Sequence, residues 1–395
     1  MNKKEVKKAP ALRFKGFTND WEQRKLGTAI KIIKDKNKNQ HSYRAFSISN
    51  IKGFIAQDEQ FGKDNTYSKT DKSTNYIVKP GMFAYNPARI NVGSIAYQNQ
   101  TEPVLVSSLY EIFQTNSKID DSFLMNWFKT SLFNRQIKRL EEGGVRQYFF
   151  IDKMKETEIK LPSISEQNQI SKLLQLVNKN LDLQQRKLRL LKLLKKATQQ
   201  NIFASTECLP KLKYRNLTEK WQLYRLKDVA KITMGQSPNS KNYTQNPIDH
   251  ILVQGNADIR NGYVFPRIWT TEITKIASKG DIILCVRAPA GDVGRTKFNV
   301  VIGRGVAAIK GNDFIFQQLQ FMKSSGYWKK YISGSTFESI NSNDIKNAKI
   351  FCPSQLEQKN ISSLLDDIDT SIQIQQKNIL DFKYIKQFLL QNMFI

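Results

Sequence analysis

Over two long stretches of the chain, apolar residues fall alternately four and three positions apart. The first run is Ile170, Leu174, Val177, Leu181, Gln184, Leu188, Leu191 and Lys195. The second is Ile361, Leu365, Ile368, Ile372, Gln375, Ile379, Phe382 and Lys386. A mean spacing of about 3.5 residues keeps such positions on one side of a slightly under-wound helix, the seam of a coiled coil. Both runs interrupt the seam with Gln and then Lys at the same two places, and polar seam residues fix register. Each run opens with Pro, Ser and a Glu three residues after the Ser: "PSISEQNQI" from Pro162 and "PSQLEQKNI" from Pro353. The spacing of Ser163 to Glu166, and of Ser354 to Glu357, fits a capping box. In that device the hydroxyl accepts from the third backbone N–H and the carboxylate reaches back. The preceding Pro bars the helix from starting earlier. The pattern predicts helices over 163–204 and 354–395, each roughly 40 residues and on the order of 60 Å long.

Charge predicts how they pair. The second half of the first helix carries Arg186, Lys187, Arg189, Lys192, Lys195 and Lys196, and the first half of the second carries Asp366, Asp367 and Asp369. Antiparallel pairing sets these clusters side by side. It also brings Gln184 and Gln375 to the middle, within reach of a shared side-chain hydrogen bond, and creates a pseudo-two-fold with a module at either end.

The two runs are copies. Pro353 stands 191 positions after Pro162, and the register holds as far as Asn201-Ile202-Phe203 against Asn392-Met393-Phe394. A period this long is no solenoid repeat but a duplicated module. "FTNDWEQRKL" around Trp21 parallels "LTEKWQLYRL" around Trp221. "KPGMFAYNPARINVGSIAY" (79–97) parallels "SKGDIILCVRAPAGDVGRTKF" (278–298), each a Gly-centred turn, a strand, a polar loop and a second strand. "DSFLMNWFKTSLFNRQIKRLEE" and "NDFIFQQLQFMKSSGYWKKYIS" each read as one amphipathic helix opened by Asp or Asn. The predicted fold class is α+β (mixed α/β). Two tandem modules, 1–162 and 205–353, are separated by the long antiparallel two-helix coiled coil. The helices are closely alike and the modules are not, as two different specificities on one frame would require.

Composition narrows the partner. Sixty-two Lys+Arg face 35 Asp+Glu, a formal +27, and such an excess points to a polyanion, nucleic acid above all. No apolar run approaches the ~20 residues of a spanning helix, and "MNKKEVKKAPALRF" lacks the apolar core of a signal peptide. Cys208, Cys285 and Cys352 form no CxxC pair and read as buried thiols of a reducing cytoplasm.

No catalytic constellation is found. There is no GxxxxGK[ST] and no GxGxxG after a strand. His41 and His250 are isolated, which speaks against a zinc site or a His-centred triad. "YNPAR" (85–89) shares Asn-Pro with a methyltransferase loop but lacks its second Pro and aromatic, and reads as a turn. Catalytic and metal-ligating residues are therefore expected to be none. The chemistry lies instead in polar loops between strands, where Arg can read guanine and Asn or Gln adenine. In the first module the candidates are Arg44, Ser47, Ser49, Asn50, Asn86, Arg89, Asn91, Arg146 and Gln147. In the second they are Gln236, Ser237, Gln254, Asn256, Asp258, Arg260, Arg287 and Arg295.

Duplicated modules, Pro-Ser-x-x-Glu-Gln helices and the lack of a catalytic motif together resemble the specificity subunit of type I restriction–modification systems, over the full length. "LPSISEQNQI" and "CPSQLEQKNI" carry the resemblance best, then "GQSP" and "DIRNG" in the second module. The first module has "IKDKNKNQ" where the second has Gly-Gln-Ser-Pro. The resemblance implies two target recognition domains, each reading one half of a split, asymmetric site in double-stranded DNA. The helices would fix the spacer and dock two modification subunits, which bind S-adenosylmethionine and methylate adenine. Restriction subunits using ATP and Mg would join them, with no cofactor bound by this chain, in a bacterial or archaeal cytoplasm. The alternative is a sequence-neutral nucleic-acid binder with a coiled-coil brace. An enzyme in its own right has no motif to support it.

Overall fold

The period-two stretches become strands where β-branched and aromatic runs are bounded by turns. The computed structural model describes residues 8–39, 41–61, 72–140, 148–203, 210–213, 220–331 and 339–395. It forms two compact units, Met1–Leu183 with Ile379–Ile395, and Gln184–Asn378, so that each holds one end of each long helix.

The first unit is built on a four-stranded antiparallel sheet in the order Ile30–Ile33, Glu111–Thr115, Phe83–Tyr85, Ile95–Tyr97. Phe83 and Phe113 stack across neighbouring strands at 4.9 Å in its core. A hairpin of Phe46–Ser49 with Gly53–Ala56 and a pair of Tyr76–Val78 with Val104–Val106 complete the β structure. The second unit repeats the order with Lys231–Met234, Val306–Lys310, Ile282–Cys285 and Val293–Arg295, then extends it by Tyr263–Val264 and Ile259–Arg260. Its five-stranded sheet, centred on His250–Val253, repeats the pairings of the first unit's hairpin and strand pair, Leu252 to Val301 in parallel as Ala45 bridges Leu105, and adds Tyr243–Thr244 at one edge. Part of the stretch 253–262, read from sequence as a loop, is a hairpin. Ile259 pairs with Val264 across Asn261 (φ 50) and Gly262 (φ 78), the two left-handed positions that an Asn-Gly turn supplies.

The helix between sheet and spacer differs between the copies. In the second unit the expected helix ends at Ser324 (Asp313–Ser324), and after Gly326 (φ 76) a separate 3-10 helix, Tyr327–Tyr331, follows. In the first, the expected single helix is broken into Asp121–Trp127 and Ser131–Leu140. Thr130 makes the break: its hydroxyl donates to Trp127 O at 2.7 Å and accepts from Phe133 N–H at 3.4 Å, a local bond that competes with the helix.

The long helices span Ile164–Ile202 and Gln355–Asn392. In the first unit Ile170, Leu174 and Val177 share a core with Leu389, Met393 and Phe394. In the second, Ile361, Leu365 and Ile368 share one with Ile202 and Phe203. The start of one helix packs on the end of the other, so within each unit the pair is antiparallel. Leu181, Leu188, Leu191, Ile372 and Phe382 are half-buried, and Ile379 is buried. Full burial of such a side chain contributes about 1.5–3 kcal/mol and half burial about half of that, against about 0–1 kcal/mol for an exposed ion pair. Apolar burial therefore holds the helices, and charge favours one direction.

The Ser half of the capping box forms at both Pro-Ser-x-x-Glu-Gln starts. Ser163 Oγ accepts the Glu166 N–H at 3.3 Å, and Ser354 Oγ the Glu357 N–H at 3.4 Å. The expected reach-back is replaced in the first copy, where the buried Glu166 carboxylate takes both arms of Arg13, Nε at 2.8 Å and Nη2 at 2.9 Å. The following Gln does the same work in both copies. Gln167 Nε2 donates to Pro162 O and Gln358 Nε2 to Pro353 O, each at 3.0 Å. Gln167 Oε1 accepts from Asp120 N–H and Gln358 Oε1 from Asn312 Nδ2, both at 2.8 Å. Asp120 and Asn312 are the caps of the helices that follow the sheets, so this Gln locks module to spacer. Among the described residues no helix is long and apolar enough to cross a membrane.

Candidate nucleic-acid interface

In the first unit two loops converge on a groove of about 800 Å³. One is the turn 50–52 of the first hairpin. Alternation buries Phe46 and Ile48 and puts Ser47 and Ser49 on the other face. Ser49 Oγ accepts the N–H groups of Ile51 at 3.2 Å and Lys52 at 3.3 Å, which leaves Asn50 exposed at the tip. The other loop joins Phe83–Tyr85 to Ile95–Tyr97. Asn86 Oδ1 accepts the Ala88 N–H at 3.0 Å, an Asx turn beyond which Arg89 and Asn91 stand exposed. Ser94 Oγ donates to Ile48 O at 2.9 Å and pins this loop to the hairpin. Ser49, Asn50 and Asn91 thus line one groove together with Lys129 and Lys386. Arg44, also a candidate reader, is engaged by two carboxylates. Its guanidinium meets Asp58 and Glu59, each at 2.8 Å, and the hydrogen bond from Arg44 holds the Asp58 carboxyl below its ordinary value. Arg146 and Gln147 lie outside the described residues.

In the second unit the "GQSP" turn crosses the turn 303–305 backbone to backbone. Gly235 N–H donates to Val306 O at 3.0 Å and Gln236 N–H to Ile302 O at 2.8 Å. A Cβ on Gly235 would lie 2.1 Å from Gly303 O, so only glycine fits. Ser237 Oγ accepts the Arg304 N–H at 3.0 Å and leaves the Arg304 side chain exposed. Gln254 Nε2 donates to Tyr243 Oη at 2.7 Å. Asn256 is half-buried beside it, and Arg260 is exposed with its guanidinium 4.0 Å from the Phe265 ring centre. Arg287 is exposed two residues beyond the strand Ile282–Cys285, in an isolated bridge to Ser339.

Two of the candidate readers are engaged within the fold. Asp258 is buried, and its Oδ2 accepts the N–H groups of Gln254 at 2.8 Å and Gly255 at 3.2 Å, so it shapes the loop from inside. Arg295 pairs with Asp313 at 2.6 Å and lies over the Phe316 ring at 4.9 Å, against the helix Asp313–Ser324. An Arg on a strand was indistinguishable in sequence from one on a loop tip. Among the described residues no group of three or more His, Cys, Asp or Glu could hold a metal ion.

The type I restriction modification DNA specificity domain matches residues 18–193 and, a second time, 218–381. The chain belongs to that family. Type I specificity subunits are non-catalytic DNA-recognition proteins, and here the specificity domain occurs in tandem. The chain is 27% identical over 384 residues to a Methanocaldococcus jannaschii protein named for the type I restriction enzyme MjaX, covering 91% of this chain and 89% of that one. It is 24% identical over 389 residues to the type I restriction enzyme MjaVIII specificity subunit of the same organism, covering 91% and 88%. The fold is similar to that of the type I restriction–modification S subunit from M. genitalium. The TM-score is 0.64 at 14% identity, over 98% of this chain and 99% of that one. A chain from a structural study of complex assembly in the type I R-M system gives 0.60 at 21%, over 94% and 96%.

Three residues of this specificity subunit's candidate surface were missed in the sequence. Arg304 sits in "GRG" between two strands, a pattern that marks an Arg on a tight turn and could have been found. Lys129 and Lys386 come from a helix end and a seam position, and only the fold brings them to the loops.

Proposed function

We propose that this specificity subunit reads a bipartite, asymmetric target in double-stranded DNA. Each recognition domain, 1–162 and 205–353, would take one half-site. The spacer helices 163–204 and 354–395 would set the distance between halves. The observation that carries this is one frame used twice with different loops. The strand order and the Gln167 and Gln358 locks are common to both units, while the short turn 50–52 of the first hairpin stands where the second unit has the long stretch 254–267, with a hairpin of its own, between His250–Val253 and Ile268–Thr270. A sequence-neutral binder gives no reason for that divergence.

The subunit would direct two modification subunits, adenine methyltransferases holding S-adenosylmethionine, and restriction subunits using ATP and Mg, within a bacterial or archaeal cytoplasm. Side chains outside the helix seam support docking. Leu176 and Leu183 in the first unit, and Leu190 and Leu193 in the second, are each 51–58% exposed, an apolar surface of the kind that marks a protein interface.

Replacing 1–162 with another recognition domain, in the complex with modification subunits, tests the reading by methylation mapping. One half of the methylated sequence should change and the other stay. A change in both halves, or in neither, would refute it. One heptad added to both helices should lengthen the spacer or abolish binding.

A further inference from the structure

Three positions that correspond across the repeat carry different charge in the two units. In the second unit they are Lys195, Gln320 and Asp369. Lys195 Nζ donates to the two Asp369 oxygens at 2.6 and 2.8 Å and to Gln320 Oε1 at 2.7 Å. That trio is neutral and its lysine is fully partnered. At the matching positions of the first unit, each 191 residues away as Gln184 is from Gln375, stand Lys386, Lys129 and Asn178. The match is structural too. Phe123, on the helix that ends just before Lys129, and Phe314, on the helix that carries Gln320, receive the same edge-on ring contact from Trp21 and Trp221, at 6.0 and 5.8 Å. The first trio holds two positive charges and no carboxylate.

Among the described residues no carboxylate lies within ion-pair distance of Lys129 or Lys386. Asp182 acts on Lys386 only from a distance, and Asp121, whose carboxylate shares the groove and accepts the Thr115 hydroxyl, forms no ion pair with either lysine. The groove walls hold both ammonium groups below the ordinary lysine range by burial, and Lys386 adds to the effect at Lys129. Lys129 nevertheless stays open to solvent. Two lysines in one groove, neither in an ion pair among the described residues, are complementary to an anion. Their neighbours Asn50 and Asn91 are candidate DNA readers.

We propose that this groove is a backbone-phosphate seat, in which Lys129 and Lys386 hold one phosphate of the bound duplex beside the loops carrying Asn50 and Asn91. The second unit has no such seat at the matching place. The inference rests on the DNA-reading function proposed above and adds a positioning contact that fixes register without reading bases. It makes the spacer helix part of the DNA contact in one half only.

The test compares K129Q/K386Q and K129R/K386R with the parent chain, each in complex with modification subunits, binding target and scrambled duplexes at rising KCl. For the glutamine pair, the slope of log affinity against log salt should become shallower by about 0.9, the value for one phosphate. Affinity should fall equally on both duplexes, and the arginine pair should keep the parent slope. Thermal melts confirm that the variants are folded. An unchanged slope with target preference intact overturns the seat alone. An unchanged slope with weakened assembly overturns it in favour of an acidic protein segment. Lack of target preference in the parent complex overturns the proposed function and the seat with it.

Discussion

Gln375 Nε2 donates to Gln184 Oε1 at 2.5 Å and to the Gln184 backbone oxygen at 3.0 Å. Gln375 is only 2% exposed, so this polar pair sits inside an otherwise apolar seam. Q375L should cost about 0.5–1.5 kcal/mol, because the half-buried Gln184 amide and backbone oxygens lose their donor. Q184L/Q375L should recover most of that, since two apolar residues replace both members. Urea unfolding reads both. A double variant no more stable than Q375L would mean that the pair does more than satisfy itself.

Arg13 and Glu166 form a two-armed ion pair with side chains 15% and 1% exposed. R13A should destabilise by about 3–5 kcal/mol, because it strands a carboxylate in the interior. R13M/E166L should lie much closer to the parent, since an apolar pair of similar volume is often neutral. Guanidinium melts of the single and double variants measure the difference.

The Lys129 ammonium is held below the ordinary lysine range by burial and by Lys386. A lysine whose folded value is depressed destabilises the fold while protonated, and that cost disappears as pH rises through the lysine range. K129Q should therefore melt higher than the parent at neutral pH, by less than about 1 kcal/mol because Lys129 is accessible and screened. The gap should close as pH approaches 10.4, about the value of a free lysine. A gap that widens with pH would contradict the assignment.

Burial pushes the Cys285 thiol up to about 12 and the Cys352 thiol up to about 11. The thiolate is the reactive form, so at pH 8 both should label with iodoacetamide at least tenfold more slowly in the native chain than in urea. Peptide mass spectrometry separates them from Cys208, which lies outside the described residues.

What the sequence made legible follows from local physics. The seam at Ile170, Leu174 and Val177 is readable because a helix puts every third or fourth residue on one face. Turns at Gly81 and Gly280 are readable because their φ values, 85 and 94, favour glycine. The duplication was readable by identity alone. The break at Thr130 was not, because a hydroxyl bond to the backbone competes with a helix only once the neighbouring side chains have packed.

By itself the sequence determined the paired spacer helices, their antiparallel direction, the doubled module and the polyanionic partner, since spacing and charge are properties of the chain. Tertiary structure alone decided what each polar side chain does. It turned Glu166 away from its own helix to Arg13, placed Asp258 inside its loop, and took Arg295 to Asp313. It gave Lys195 a carboxylate and left Lys386 beside Lys129 in a groove. The reason is that a charge's role depends on which groups lie within a few ångströms, and residues far apart in the chain become neighbours only on folding.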